Sequence, residues 1–193
     1  WTHFFDVNGQ LTLKNLIFKD GACGTGTNGG GAFFVSSFGS RLHLQQSVVR
    51  DCEAFSGVPG GAVRVENRGI LVMEESTLES NKANNGGAVS AVSGAKITLI
   101  VGTTSYVQGN TAANCGGGFE LDGAGTHLDV SGKDTKLVVR ENTAVKRGGG
   151  LSVRSTAAIT VSDGAQMNVT KNTAEYAGGF YVENARFDVV GKD

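Results

Sequence analysis

Short runs of alternating apolar and polar residues recur along this chain, each opened by a glycine run. The first apolar residue after each run is Phe33, Val63, Val89, Phe119, Leu151 or Phe180, at intervals of 30, 26, 30, 32 and 29 residues. Two positions later stands Val35, Val65, Ala91, Leu121, Val153 or Val182. Period-two alternation of this kind predicts a strand with one buried face. A second alternating pair follows in each unit: Leu42/Leu44, Ile70/Val72, Ile97/Leu99, Leu128/Val130, Ile159/Val161 and Phe187/Val189. Leu11/Leu13 fills the same slot in an incomplete first unit. A third short strand closes the unit, as in "VRDCEA", "LESNKA", "VQGNTA", "VRENTA" and "VTKNTA". Its pattern is apolar-x-x-Asn-x-Ala, with Ile17, Val49, Leu78, Val107, Val139 and Val169 at the apolar slot. Asp20 and Cys52 replace the asparagine in the first two units.

Three short strands per ~30 residues, with no helical periodicity between them, exclude helical repeats, and a propeller blade needs a fourth strand and a longer period. Leucine-rich repeats place their leucines and asparagine differently. The pattern predicts an all-β parallel β-helix over residues 1–193, about six coils stacked ~4.8 Å apart into a rod roughly 30 Å long. In that fold Asn81, Asn110, Asn142 and Asn172 fall in one column. An inward asparagine at a corner can bond backbone groups and the asparagines above and below it, so the four predict a structural ladder.

The glycines then mark the corner before the first strand. They pair as Gly30/Gly31, Gly60/Gly61, Gly86/Gly87, Gly117/Gly118, Gly149/Gly150 and Gly178/Gly179. A side chain there would collide with the coils on either side. Composition agrees: 30 glycines against one proline serve a recurrent backbone geometry rather than general flexibility.

Lysine and arginine number 17 against 18 acidic residues, which gives no electrostatic case for a nucleic-acid partner. No apolar stretch approaches the ~18 residues of a membrane span, so direct membrane insertion by this segment is not expected. The chain starts abruptly in a strand-like run, which reads as a piece of a longer protein. Of the three cysteines, Cys23 and Cys52 are candidates for a disulfide if neighbouring coils bring them together, with buried thiols as the alternative.

The "GGAF" and "GGAV" runs, with endings such as "LESN" and "VQGN", resemble the polymorphic outer-membrane protein repeats of chlamydiae, which carry GGA-[ILV] and F-x-x-N motifs. The resemblance runs from about Phe5 to Val190. It differs where the family's Phe is Val, Leu or Ile and where later units read GGG. It implies a right-handed β-helix and an extracellular or cell-surface setting, with adhesion or surface architecture rather than a defined reaction.

An enzyme on this fold would need clustered carboxylates, or calcium with a basic residue, on an outward strand column. The middle strand's outward column reads His43, Leu71, Thr98, Asp129, Thr160, Asp188, and the first strand's reads Phe34, Arg64, Ser90, Glu120, Ser152, Tyr181. Neither puts two carboxylates on adjacent coils. Asp122, His127, Asp129 and Asp134 surround a glycine-rich loop on a single coil, as a solvated loop would. His3, His43 and His127 lack metal-ligand spacing, no cofactor is implied, and no glycine run has a phosphate-loop ending. Asn168 opens an Asn-Val-Thr sequon and should point outward as a glycosylation candidate. Thr111, Thr143 and Thr173 form a threonine column of the kind ice-binding solenoids use, but Glu53 and Lys82 interrupt it.

The sequence therefore predicts no catalytic site. It points to a structural or adhesive β-helix segment of a large surface or secreted protein. Its partners would be neighbouring coils, copies of the same chain, or a surface glycan or protein. The alternatives are a carbohydrate-active enzyme and, behind it, an ice-binding protein.

Overall fold

The computed structural model describes residues 3–24, 29–55 and 57–191. Among these, every regular element is a β-strand and every strand pairing is parallel. The strands stack into four ladders that run the length of a β-solenoid of about six turns, consistent with a right-handed parallel β-helix.

The first sheet stacks Phe5–Val7, Phe33–Val35, Val63–Val65, Val89–Val92, Phe119–Asp122, Leu151–Arg154 and Phe180–Glu183. Its register joins Phe33 to Val63, Val63 to Val89, Val89 to Phe119, Phe119 to Leu151 and Leu151 to Phe180, the column expected from the glycine runs. The second sheet runs from Gln10–Lys14 to Arg186–Val190, and the third from Ile17–Lys19 to Gln166–Thr170. Beside these three, the structure adds a fourth ladder of short strands: Ala22–Cys23, Glu53–Ala54, Lys82–Asn85, Thr111–Cys115 and Thr143–Ala144.

The main core is a single apolar column of Phe33, Leu42, Leu44, Leu78, Phe119, Leu121, Leu128, Leu137, Leu151 and their neighbours, all fully buried. A smaller cluster of Cys23, Ala54, Val58 and Ala83 lies apart from it, under the fourth sheet.

Three register expectations shift by one residue. In the third coil Leu71 pairs with Leu42 and Ile97, and Met73 with Leu44 and Leu99, so Leu71/Met73 and not Ile70/Val72 face the core. Val72 therefore replaces Leu71 in the outward column between His43 and Thr98. The run Ile-Leu-Val-Met has no polar residue to mark its outer face, so the alternation is silent there. In the first coil Phe18, not Ile17, pairs with Val49 and packs on the core, while Ile17 is two-thirds exposed. Phe18 sits 5.1 Å edge-on to the Phe33 ring. With that register Gly21, not Asp20, takes the asparagine slot. Asp20 falls one position earlier, where each coil turns through a left-handed residue: Asp20, Asp51, Ser80, Gly109, Glu141 and Lys171, all with φ between 55° and 63°.

Candidate functional site

The asparagine column lies inside the solenoid at the corner between the third and fourth sheets. Asn81, Asn110 and Asn142 are fully buried and Asn172 is half-buried. The Oδ1 atoms of Asn110, Asn142 and Asn172 each accept two bonds from the preceding coil: Asn142 Oδ1 takes the Asn110 backbone N–H at 3.0 Å and the Asn110 Nδ2–H at 2.9 Å. The same pair of bonds links Asn81 to Asn110 and Asn142 to Asn172. Each Nδ2 also donates to a backbone carbonyl one coil back, Asn81 to Val49, Asn110 to Leu78, Asn142 to Val107 and Asn172 to Val139. The ladder ends at Cys52, whose backbone N–H donates to Asn81 Oδ1 at 3.0 Å.

A second internal ladder uses serine. Ser47, Ser76 and Ser105 are buried at the entry to the third sheet. The Ser47 N–H donates to Ser76 Oγ and the Ser76 N–H to Ser105 Oγ. The Ser76 hydroxyl donates to the Leu44 carbonyl at 2.9 Å. Their even spacing of 29 residues was the available sequence signal.

At the glycine corner three columns stand side by side. Gly30, Gly60, Gly86, Gly116 and Gly148 have φ between 59° and 79°, and Ala177 takes this left-handed position in the last coil. Gly116 and Gly148 precede the pairs named from sequence, because the later coils hold three glycines where the earlier ones hold two and an alanine. The next column is Gly31, Gly61, Gly87, Gly117, Gly149 and Gly178. A Cβ on Gly117 would strike the Gly149 carbonyl and lie 2.6 Å from the Thr143 oxygen of the next coil. Ala32, Ala62, Ala88, Gly118, Gly150 and Gly179 complete the corner.

Cys23 and Cys52 are not joined by a disulfide. The fourth sheet pairs Cys23 with Ala54, two residues beyond Cys52, so the two thiols enter different cores. The Cys52 Sγ lies 3.2 Å from the Arg50 carbonyl, and burial pushes its pKa up to about 11. Asn168 is exposed on the edge strand Gln166–Thr170 of the third sheet. Glu53, Lys82, Thr111, Thr143 and Thr173 stack in one column of the fourth sheet, with the three threonines exposed.

The outer face of the first sheet departs from what its sequence suggests. Phe34, Ser90, Glu120 and Ser152 point outward yet are buried. Gly29 and Arg147, from the arcs leading into two of these strands, lie against side chains of this face. A Cβ on Gly29 would run into the Arg64 side chain, and the Arg147 guanidinium sits 5.0 Å over the Tyr181 ring. In this layer Arg154 Nη2 bridges Glu120 Oε1 at 2.8 Å and Asp122 Oδ2 at 3.1 Å, across one coil. Glu120 Oε2 accepts the Ser90 hydroxyl at 2.9 Å. Burial is the largest influence on Glu120 and raises its pKa, against the lowering pull of Ser90 and Arg154. Cys115 lies close enough for Arg154 and Glu120 to bear on its thiol, which burial also raises.

Glu120 and Asp122 share one strand face, which adjacent-coil searching of the sequence missed. Both carboxylates are held by one guanidinium, and Glu120 is only 4% exposed. The arrangement ties neighbouring strands of the first sheet to one another, with Glu120 sealed and Asp122 about one-third exposed. Asp122, His127, Asp129 and Asp134 do not converge: Asp122 binds Arg154, while Asp129 accepts from Ser131. Among the described residues no group of three His, Cys, Asp or Glu side chains is placed to hold a metal ion, and no helix is long and apolar enough to cross a membrane.

Fold and interior together define a parallel β-solenoid held by stacked polar ladders. No protein-family model matches the chain, and neither a curated protein nor a solved structure shows significant similarity to it.

Proposed function

We propose that this chain is a rigid segment of a structural or adhesive protein at a cell surface or outside the cell, built on polymorphic outer-membrane protein-like repeats. The observation that carries the reading is where the polar chemistry is spent. The asparagine and serine ladders, the Arg154 bridge and the glycine corner all tie one coil to the next, and such nearest-neighbour coupling makes a stiff rod. The last coil leaves Val182, Phe187, Val189 and Val190 exposed beside the stacked Phe180 and Phe187 rings, 4.8 Å apart. Neighbouring coils, copies of the same chain, or a surface glycan or protein are the partners this reading implies.

The test sets the rod against the carbohydrate-active alternative. Small-angle scattering should give an elongated particle, and incubation with plant and bacterial polysaccharides should release no reducing or unsaturated ends. Turnover abolished by Glu120→Gln would overturn the proposal.

A further inference from the structure

Where the first sheet turns into the second, an open groove of about 710 Å³ runs across successive coils. Its walls come from Phe38, Arg68, Lys96 and Ile70, and its floor from the small turn residues Gly94 and Gly125. Phe38 is 77% exposed, in contrast to the buried aromatics of the core. The Arg68 guanidinium lies 5.6 Å over the Phe38 ring of the preceding coil. In the other direction, a Cβ on Gly94 would come within 3.1 Å of Arg68 Cγ, so that glycine leaves room for the arginine to lie along the rod.

Asn67 and Arg68 both adopt left-handed backbone, φ 51° and 61°, as Ser155 and Thr156 do at the matching turn three coils on, φ 53° and 68°. What distinguishes this turn is the long cationic side chain at a position where the next two coils have Gly94 and Gly125. Arg68 and Lys96 are also exposed cations with no ion pair among the described residues. The lining contains no acidic residue to neutralise them.

We infer that this groove binds an acidic polysaccharide, a chain of uronic or sulfated sugars lying along the rod axis. Phe38, Arg68 and Lys96 come from three successive coils. Lys96 is in register with Ile70, two residues beyond the Arg68 column, so the aromatic platform and the two cations are spread along the rod and across the groove. The apolar face of a pyranose stacks on the side of Phe38 that Arg68 leaves open, and its carboxylate or sulfate accepts charge-assisted bonds from Arg68 and Lys96. A nucleic acid fits less well, because a chain of net charge −1 has no basic field to gather phosphates along its length. The inference rests on the adhesive part of the function proposed above.

The experiment titrates the whole chain with oligogalacturonate, a neutral gluco-oligosaccharide of equal length, and a DNA oligonucleotide, followed by calorimetry and amide chemical shifts. The expected result is binding of the oligogalacturonate alone, with shifts confined to the turns holding Phe38, Arg68, Gly94 and Gly125. Arg68→Gly suits the left-handed backbone and keeps the turn; it should weaken binding about tenfold, the loss of one charge-assisted contact. Phe38→Ser and Lys96→Gln should each weaken it severalfold with unfolding midpoints unchanged. Equal affinity for the neutral sugar, tighter binding of DNA, unaltered affinity in Arg68→Gly, or no binding at all would each overturn the inference. Scattering that still shows a rod would then leave the structural proposal standing.

Discussion

Asn142 Oδ1 accepts both the backbone N–H and the side-chain Nδ2–H of Asn110, one coil earlier, at 3.0 and 2.9 Å. One oxygen thus satisfies two buried donors, and Asn110 does the same for Asn81. The corner needs this because its backbone N–H groups sit between two sheets, outside either strand ladder, where water cannot reach.

Asn110→Ala should therefore be costly. It strands the Asn81 backbone N–H, leaves the Leu78 carbonyl without its side-chain donor, and removes one bond each from Asn81 Nδ2 and Asn142 Oδ1. Unmade buried bonds of this kind cost about 2–4 kcal/mol in total. Asn172→Ala should cost less than half as much, since Asn172 is half-buried and closes the column. Denaturant midpoints of the two variants check this; equal losses would show that the ladder is not a cooperative stack.

Much of this was legible in the chain. Glycine runs and the asparagine offset gave the coil, the first-sheet register and the ladder column, because a β-helix repeats its side chains in vertical files. Failures came where a residue's neighbour lies outside the repeat signal. Ile70-Leu71-Val72-Met73 is apolar on both faces, so period two could not choose between them. The fourth ladder consists of two- to five-residue strands rich in alanine and other small residues, such as Glu53–Ala54 and Thr143–Ala144, too short to show alternation. Glu120 is held by Ser90 and Arg154 from the neighbouring coils, and no local pattern encodes that.

A corner glycine and a glycine in the turn between the first and second sheets carry opposite expectations. Gly117→Ala places a methyl against backbone of the next coil, which cannot rotate away, and should cost about 3 kcal/mol or more. Gly9, with nothing within 4 Å of its would-be Cβ, should accept alanine with little change. Ala177 presents the reverse case: its φ of 57° strains an L-residue, so Ala177→Gly should stabilise the last coil by about 1 kcal/mol. Thermal melts of the three variants give the order directly.

Cys52 occupies an asparagine slot with a sulfur. Its thiol has a pKa of about 11 against an ordinary 9.0, so the folded state favours the protonated form. That contribution is complete below pH 9.0 and is lost as pH rises from 9.0 through about 11. Stability should fall over that window, and thiol reagents at pH 8 should leave Cys52 unmodified until the protein unfolds. Cys52→Asn should remove its part of the alkaline loss and add a rung, its Nδ2 donating to Asn81 Oδ1. A variant less stable than the parent at pH 7 would show that this corner cannot seat the amide.

Glu120 gives the opposite end of the pH scale. Burial raises its pKa above the ordinary 4.5, so its protonated form suits the folded state better than its anion does. The associated stability is present below pH 4.5 and declines as pH rises through the raised value. Gln is a neutral isostere of the protonated acid and keeps an acceptor for Arg154 Nη2. Glu120→Gln should therefore match the parent at low pH and gain on it as pH rises to 8. Arg154→Met, which leaves Glu120 buried without its cation, should cost about 3–5 kcal/mol at neutral pH. Adding Glu120→Gln to that variant should recover part of the loss. Urea denaturation of the four proteins at pH 4, 6 and 8 measures both effects. If Glu120→Gln is destabilising and more so at pH 8 than at pH 4, the Arg154 bridge outweighs burial, and the Glu120 pKa is lowered rather than raised.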